Sequence, residues 1–256
     1  VVDPADPRAP SQAEWDAMSE AERRRVVSQL PSEMPVALHP PEGDAHRRPK
    51  ERAVDALGRF FRRAGRRAYV SSELPTYYPK EPRFSPDVLV VFDVDDHERG
   101  KWVVADEGKG LDFVLEIHVG NDRAKDFELN VDRYARLRIP EYVIYDRTGR
   151  KLVAFRLGAG GRYERIVPQA GRYASEVLGL ELTLEQDRLR FLHGAAVVME
   201  TGEFVTLLES TVDELVASRE TAERRAEEES ARAADAAKRA GDAEDRLAAV
   251  SYTHLT

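Results

Sequence analysis

The chain has 256 residues, 42% of them hydrophobic and 34% charged, and no cysteine. That is enough apolar matter for a core with appendages, and it excludes disulfide frameworks, thiolate nucleophiles and Cys-ligated metal. No run approaches the roughly 18 apolar residues of a membrane span, and Val1 to Pro10 lacks the build of a secretory signal, so the expectation is a cytoplasmic protein with no membrane partner.

The net charge of −8 is unevenly spread. Residues 209–250 hold twelve of the 47 acidic side chains and seven of the 39 basic ones. By contrast, residues 47–67 hold nine Arg or Lys (Arg47, Arg48, Lys50, Arg52, Arg59, Arg62, Arg63, Arg66, Arg67) against Glu51 and Asp55. A stripe of that kind is the electrostatic footprint of phosphate-backbone contacts, or else a solvated helix face.

In chain order, Ser11-Gln12-Ala13-Glu14 fits a capping box and predicts a helix over 11–29. Pro31, Pro35, Pro40 and Pro41 then interrupt regular structure. A second helix is expected from Asp44, with Pro49 in its first turn, an apolar stripe of Val54, Leu57, Phe60, Phe61 and Ala64, and Gly65 as its stop. Three β signals follow at 68–78, 87–92 and 113–119, the last two apolar enough for strands buried on both faces. Asp93 to Gly110 is polar and glycine-containing and reads as a surface loop. Asn121 to Arg138 has helical periodicity and stops before Pro140. Tyr142 to Tyr145 and Leu152 to Leu157 make a hairpin around Arg147-Thr148-Gly149-Arg150, and a further turn leads into Tyr163 to Val167. Helix, three strands, helix, strand and hairpin imply an α/β domain with a mixed sheet flanked by helices.

From about residue 205, alternating steps of four and three select thirteen positions from Leu208 to Val250, of which eleven are apolar. Sustained heptads predict a C-terminal coiled-coil helix. Its largely alanine seam buries little area per turn, so association, including homo-oligomerisation, would be weak. The expected organisation is a helix and Pro-rich linker at 1–43, an α/β domain at 44–195, a coiled-coil tail at 205–250 and an end at 251–256 that follows no period and reads as either truncated or artefactual.

The chemistry concentrates beside the buried strands. Asp87 opens a strand after Pro86, Glu116 lies late in an apolar strand, and His118 shares its face because side chains alternate. If the two strands are neighbours, Asp87 and Glu116 could hold one hard divalent cation, Mg²⁺ or Mn²⁺. His118 is either a satisfied strand histidine or a ligand or general acid/base. Lys125 and Asp126 open the following helix, Asn130 and Tyr134 lie on its inner face, Glu73 is a further carboxylate after a β segment, and His46 is a packing or hydrogen-bonding group. No Gly-rich phosphate loop, nucleophile elbow or His-Glu-x-x-His helix is present.

Ser85-Pro86-Asp87-Val88-Leu89-Val90-Val91, Leu115-Glu116-Ile117, a helix bearing Tyr134, and Ile139-Pro140-Glu141-Tyr142-Val143-Ile144-Tyr145-Asp146 together resemble the bacterial putative restriction endonuclease (Uma) family. That family belongs to the PD-(D/E)XK nuclease superfamily. The resemblance, over roughly 45–195, implies a restriction-endonuclease-like fold and Asp87 and Glu116 as metal-binding carboxylates. It also implies a lysine in one of two slots, which here hold His118 and Asn130. Lys125 is one turn earlier, but five residues turn an α-helix by about 500°, off the face of Asn130.

The reading is a metal-dependent endonuclease hydrolysing DNA. Asp87 and Glu116 would hold the ion, Lys125 or His118 would position water and offset phosphate charge, and Arg59, Arg62, Arg63, Arg66 and Arg67 would lie on the DNA. The alternative is a catalytically lapsed nuclease fold acting as a nucleic-acid-binding or coiled-coil assembly module.

Overall fold

A computed structural model describes residues 3, 6–35, 43–120 and 122–253. The expected prolines 40 and 41, the helix start at Asn121, and residues 254–256 of the chain end lie outside them. The chain divides into two compact units, Val1–Glu200 and Thr201–Thr256.

The first unit opens with two helices, α1 (Gln12–Ala17) and α2 (Glu20–Gln29), where one is expected over 11–29. The break comes from a second capping box. Ser19 and Glu22 satisfy each other's backbone donors just as Ser11 and Glu14 do, and a chain that caps at Ser19 cannot continue α1 through it. The long basic helix α3 (Asp44–Arg63) follows, with Gly65 in the left-handed region just past its end. Pro49 lies inside α3, in its second turn rather than its first. Proline supplies no N–H to the carbonyl four residues back, and that carbonyl, of Ala45, is instead met by the guanidinium of Arg147.

Six strands form the main sheet in the order β1 (Ala68–Ser71), β3 (Val88–Phe92), β5 (Phe113–His118), β6 (Glu141–Asp146), β7 (Lys151–Leu157), β8 (Tyr163–Arg165). All neighbours are antiparallel except β5 and β6, which run parallel and are joined by a helical crossover. That crossover is a π-helical turn, Lys125–Leu129, running into α5 (Asn130–Arg136), not the uniform helix expected over 121–138. β8 stops at Arg165, and Val167, expected in it, is exposed.

The run expected to be a surface loop, 93–110, holds structure. β4 (Trp102–Val103) pairs in parallel with β2 (Thr76–Tyr77), and α4 (Val104–Glu107) follows. Trp102 is fully buried, with its indole N–H donating to the Lys109 carbonyl at 2.9 Å. One large aromatic can anchor a polar segment without creating any periodicity. Beyond the main sheet, β9 (Tyr173–Ser175), β10 (Leu180–Glu185), β11 (Arg188–His193) and β12 (Ala196–Val197) form a second, antiparallel sheet absent from the expectations.

Every residue of β3 and β5 is buried. One face of the main sheet (Val88, Val90, Phe113, Leu115, Ile117) packs with Ala53, Leu57 and Phe61 of α3, and the other (Leu89, Val91, Val114, Ile144) with Tyr134 and Ile139. Glu141, at the start of β6, is fully buried and tied to Arg156 Nε at 3.0 Å, to the Glu176 amide at 3.0 Å and to the Ser175 hydroxyl. The Pro-Glu-Tyr segment is therefore a structural clamp between the two sheets.

The second unit is one helix, α6 (Thr201–Thr253). Val205, Leu208, Val212 and Leu215 are exposed along it. No described helix is long and apolar enough to cross a membrane.

Glu141→Ala leaves the Ser175 hydroxyl and the Glu176 amide without their acceptor, while Arg156 keeps Glu176 and the Ala174 carbonyl, and buried donors left unsatisfied cost about 1–3 kcal/mol. Urea unfolding should report a fall of that size, and a variant as stable as wild type would refute the clamp.

Candidate active site

The site begins where a ladder stops. β3 and β5 pair with Val88 opposite Leu115, so Asp87 and Glu116 are the next opposed positions, with Asp87 just before the first residue of β3. Glu116 projects to the face away from the α3 core, because Leu115 projects toward it, while Asp87, ahead of the strand, stays within reach of the first turn of α3. Ahead of β3, where the ladder has not yet begun, the Ile117 amide donates to the Asp87 carboxylate, at 2.6 Å from Oδ2. The same oxygen is 3.0 Å from Nε2 of His46, on the first turn of α3. Glu116 accepts the Tyr134 hydroxyl of α5 at 2.6 Å from Oε1. Both carboxylates are at least 95% buried.

Their electrostatics diverge. Burial presses Asp87 upward, but the hydrogen bonds from His46 and the Ile117 amide and the charge of Lys50 outweigh it, so Asp87 stays below the usual carboxylate range. Glu116 is pushed well above that range by burial and by the charge of Asp87, against opposing contributions from Lys125 and Tyr134. Two buried carboxylates that repel one another form a donor set of hard oxygens, which suits a hard divalent cation. Among the described residues no three His, Asp or Glu side chains form a ready-made cage, so such an ion would keep waters.

His118 lies on the Glu116 face, buried, with Nδ1 2.9 Å from Asp126 Oδ2. A carboxylate on Nδ1 holds the proton there in the neutral ring and leaves Nε2 as the acceptor. Asp126, itself buried, is raised by burial against the pull of His118 and Lys125. Tyr142 donates to the Asp126 carbonyl at 2.8 Å. Asn130 is buried, and its Nδ2 has no hydrogen-bond acceptor among the described residues.

Lys125 corrects an expectation. An ideal α-helix would turn it away from Asn130, yet the backbone N–H of Asn130 bonds to the Lys125 carbonyl five residues back. A turn closed this way is wider and brings Lys125 round. Burial lowers its ammonium, but Glu116, Asp126 and Asp87 together raise it above the usual lysine value.

The structure thus assembles Asp87, Glu116, His118, Lys125, Asp126, Asn130 and Tyr134. Glu73 joins through Lys50, whose ammonium pairs with it. The arginines lie elsewhere. Arg62 follows Lys50 by twelve residues, about 18 Å along the helix axis. Arg59, Arg62, Arg66 and Arg67 line a groove with Asp95 and Asp96. Within it Arg66 donates to the Leu178 and Val177 carbonyls and stacks on Phe92 at 3.4 Å, Arg59 donates to the Met199 carbonyl, and Arg67 pairs with Asp95 at 2.7 Å. Arg62 and Arg63 are exposed.

Lys50 is the residue missed. Counted with the solvated stripe, it is 3% exposed. Steps of four back from Val54 reach Lys50 and His46, so the helical period that placed the apolar stripe also placed these two on its continuation.

A mixed sheet that carries opposed carboxylates on adjacent strands, faced by a crossover helix, has the restriction-endonuclease-like architecture. The family model described as "Uma2: Putative restriction endonuclease" matches residues 20–189, and the chain belongs to that family. Among solved structures it is similar to one described as a putative nuclease belonging to DUF820 from Anabaena variabilis, at 14% identity and a TM-score of 0.39, over 50% of this chain and 73% of that one. No curated protein matches.

Because Glu116 is held above its ordinary value of 4.5, folding favours its protonated form, and its contribution to stability is lost as pH rises through the raised value. In protein stripped of metal with chelator, Glu116→Gln should melt at a higher temperature than wild type at pH 8 and converge with it near pH 4. A constant difference across that range would contradict the assignment.

Proposed function

We propose that the protein is a divalent-metal-dependent endonuclease that hydrolyses DNA phosphodiester bonds. The observation that carries the reading is the buried, oppositely shifted pair Asp87 and Glu116 on adjacent strands, in a chain of the Uma2 family.

Asp87 and Glu116 would hold Mg²⁺ or Mn²⁺, which when bound neutralises phosphate charge and makes a nearby water more acidic. Asp87 is kept anionic and oriented by His46 and the Ile117 amide, and Glu116 is oriented by Tyr134. His118, aligned by Asp126, offers Nε2 to take a proton from the attacking water. Lys125 is drawn toward the carboxylates and offsets charge on the phosphate as it develops. The P–O bond to water forms as the P–O bond to one deoxyribose oxygen breaks, and that oxygen is protonated from solvent. Arg62 and Arg63 would meet neighbouring phosphates, while Arg59, Arg66 and Arg67 shape the groove between them and the sheet. The exposed Val205, Leu208, Val212 and Leu215 of α6 support self-association through the tail.

Plasmid incubated with purified protein and Mg²⁺ or Mn²⁺ should be nicked or linearised, and the Asp87→Ala/Glu116→Ala double variant should leave it supercoiled. Equal, background cutting by both refutes the enzyme reading, and if both still bind DNA the lapsed-nuclease alternative takes its place. Replacing Arg62 and Arg63 with glutamate should weaken DNA binding uniformly across sequences. It should also flatten the plot of log affinity against log salt by about one unit for each phosphate no longer neutralised. Unchanged affinity and slope would remove the arginines from the DNA-binding surface.

A further inference from the structure

Lys50 is placed at a cost that packing does not explain. The buried stripe of α3 runs through Ala53, Ala56, Leu57 and Phe61, and an aliphatic residue at position 50 would extend it. Instead the position carries an ammonium with 3% of its surface exposed. Burying a charge costs several kcal/mol unless it is paired. The pairing comes from Glu73, on the turn between β1 and β2. Glu73 is itself held at a φ of 54°, a region that non-glycine residues seldom adopt, with its amide donating to the Pro86 carbonyl at 2.9 Å, one residue before Asp87. Backbone strain of this kind persists only where surroundings over-determine it, and it gathers at functional sites. One helical turn before Lys50 on the same face, His46 touches Asp87 directly. Two successive positions on this face are thus polar, and both act on the same carboxylate, His46 by contact and Lys50 through its charge.

We propose that Lys50 is the catalytic lysine of this site, entering from α3 rather than from the β5 strand or the crossover helix. This inference rests on the nuclease reading above and deepens it. Held by Glu73, the ammonium donates hydrogen bonds to the attacking water and to a phosphate oxygen beside Asp87. Its role is electrostatic, and the water's proton leaves through His118. Lys125, on the crossover, offsets charge without fixing the nucleophile.

Because the chain has no cysteine, Lys50→Cys introduces a single thiol that 2-bromoethylamine converts into an ammonium of nearly lysine length. Plasmid cleavage rates, Mn²⁺ affinity by calorimetry and melting temperature are measured for wild type, Lys50→Met, Lys50→Cys and the alkylated Lys50→Cys protein. The expected result is a kcat about 100–1,000-fold lower for Lys50→Met and Lys50→Cys, Mn²⁺ affinity equal to or tighter than wild type because a neighbouring positive charge is gone, and recovery of rate on alkylation. Wild type that cuts while Lys50→Met retains its kcat overturns the assignment and leaves the nuclease reading standing. So does a loss of rate that runs parallel with lost Mn²⁺ affinity and melting temperature and is not restored by alkylation, which would make Lys50 structural. Wild type that does not cut at all overturns the nuclease reading and this inference with it.

Discussion

Asp87 takes the Ile117 amide with its side chain just ahead of β3, where the ladder offers no backbone partner, and the rest of the site is arranged around that bond. It terminates the ladder, so the sheet needs it. It also fixes a carboxylate opposite Glu116, in surroundings where a charge has no water to lean on. From then on each neighbouring element has to supply compensation, and α3, β5 and the crossover helix each do. His46 and Lys50 come from α3, the amide from β5, and Tyr134 and Lys125 from the crossover. Packing and function are not separable here, because the groups that make the carboxylate pair tolerable are those that would work on a phosphate.

The two ends of α3 serve different ends of the molecule. Its first turns are polar on the buried side and face the carboxylates, its middle is apolar and builds the core, and its last turns are arginine-rich and border a groove. A single charge count over 47–67 merges these. Once the helix is docked, Lys50 belongs to the interior, Arg66 stacks on Phe92 as part of the wall, and Arg62 and Arg63 remain on the surface. The acidity of the whole chain, concentrated in the tail, says little about what this surface attracts.

Glu141 shows the converse case, a motif whose meaning is structural. The Ile-Pro-Glu-Tyr segment is among the more distinctive stretches of the chain, yet its buried carboxylate is spent on Arg156, Ser175 and the Glu176 amide. It holds β6 against the second sheet and thereby keeps β6 beside β5, which carries Glu116. The π-helical turn after β5 has a related effect, since one wider turn of backbone brings Lys125 back toward carboxylates that an ideal helix would have carried it away from.

By itself the amino-acid order determined the elements whose signals are local: the capping box at Ser11, the amphipathic α3, the doubly buried β3 and β5, the β6 and β7 hairpin, and the heptads of the tail. It also singled out Asp87, Glu116 and His118, because a titratable group in an apolar strand is conspicuous wherever that strand goes. Only the tertiary structure decided that Asp87 and Glu116 are opposed, since register depends on which strands meet. Only it showed that Trp102 anchors a polar segment, and that residues 173–197 make a second sheet. It also turned Lys50 from one cation in a solvated run into a buried partner of Glu73 within the field of Asp87. The reason is the same each time: a residue's period and polarity are properties of its neighbours in the chain, whereas its burial and its field are set by groups that the fold brings from elsewhere.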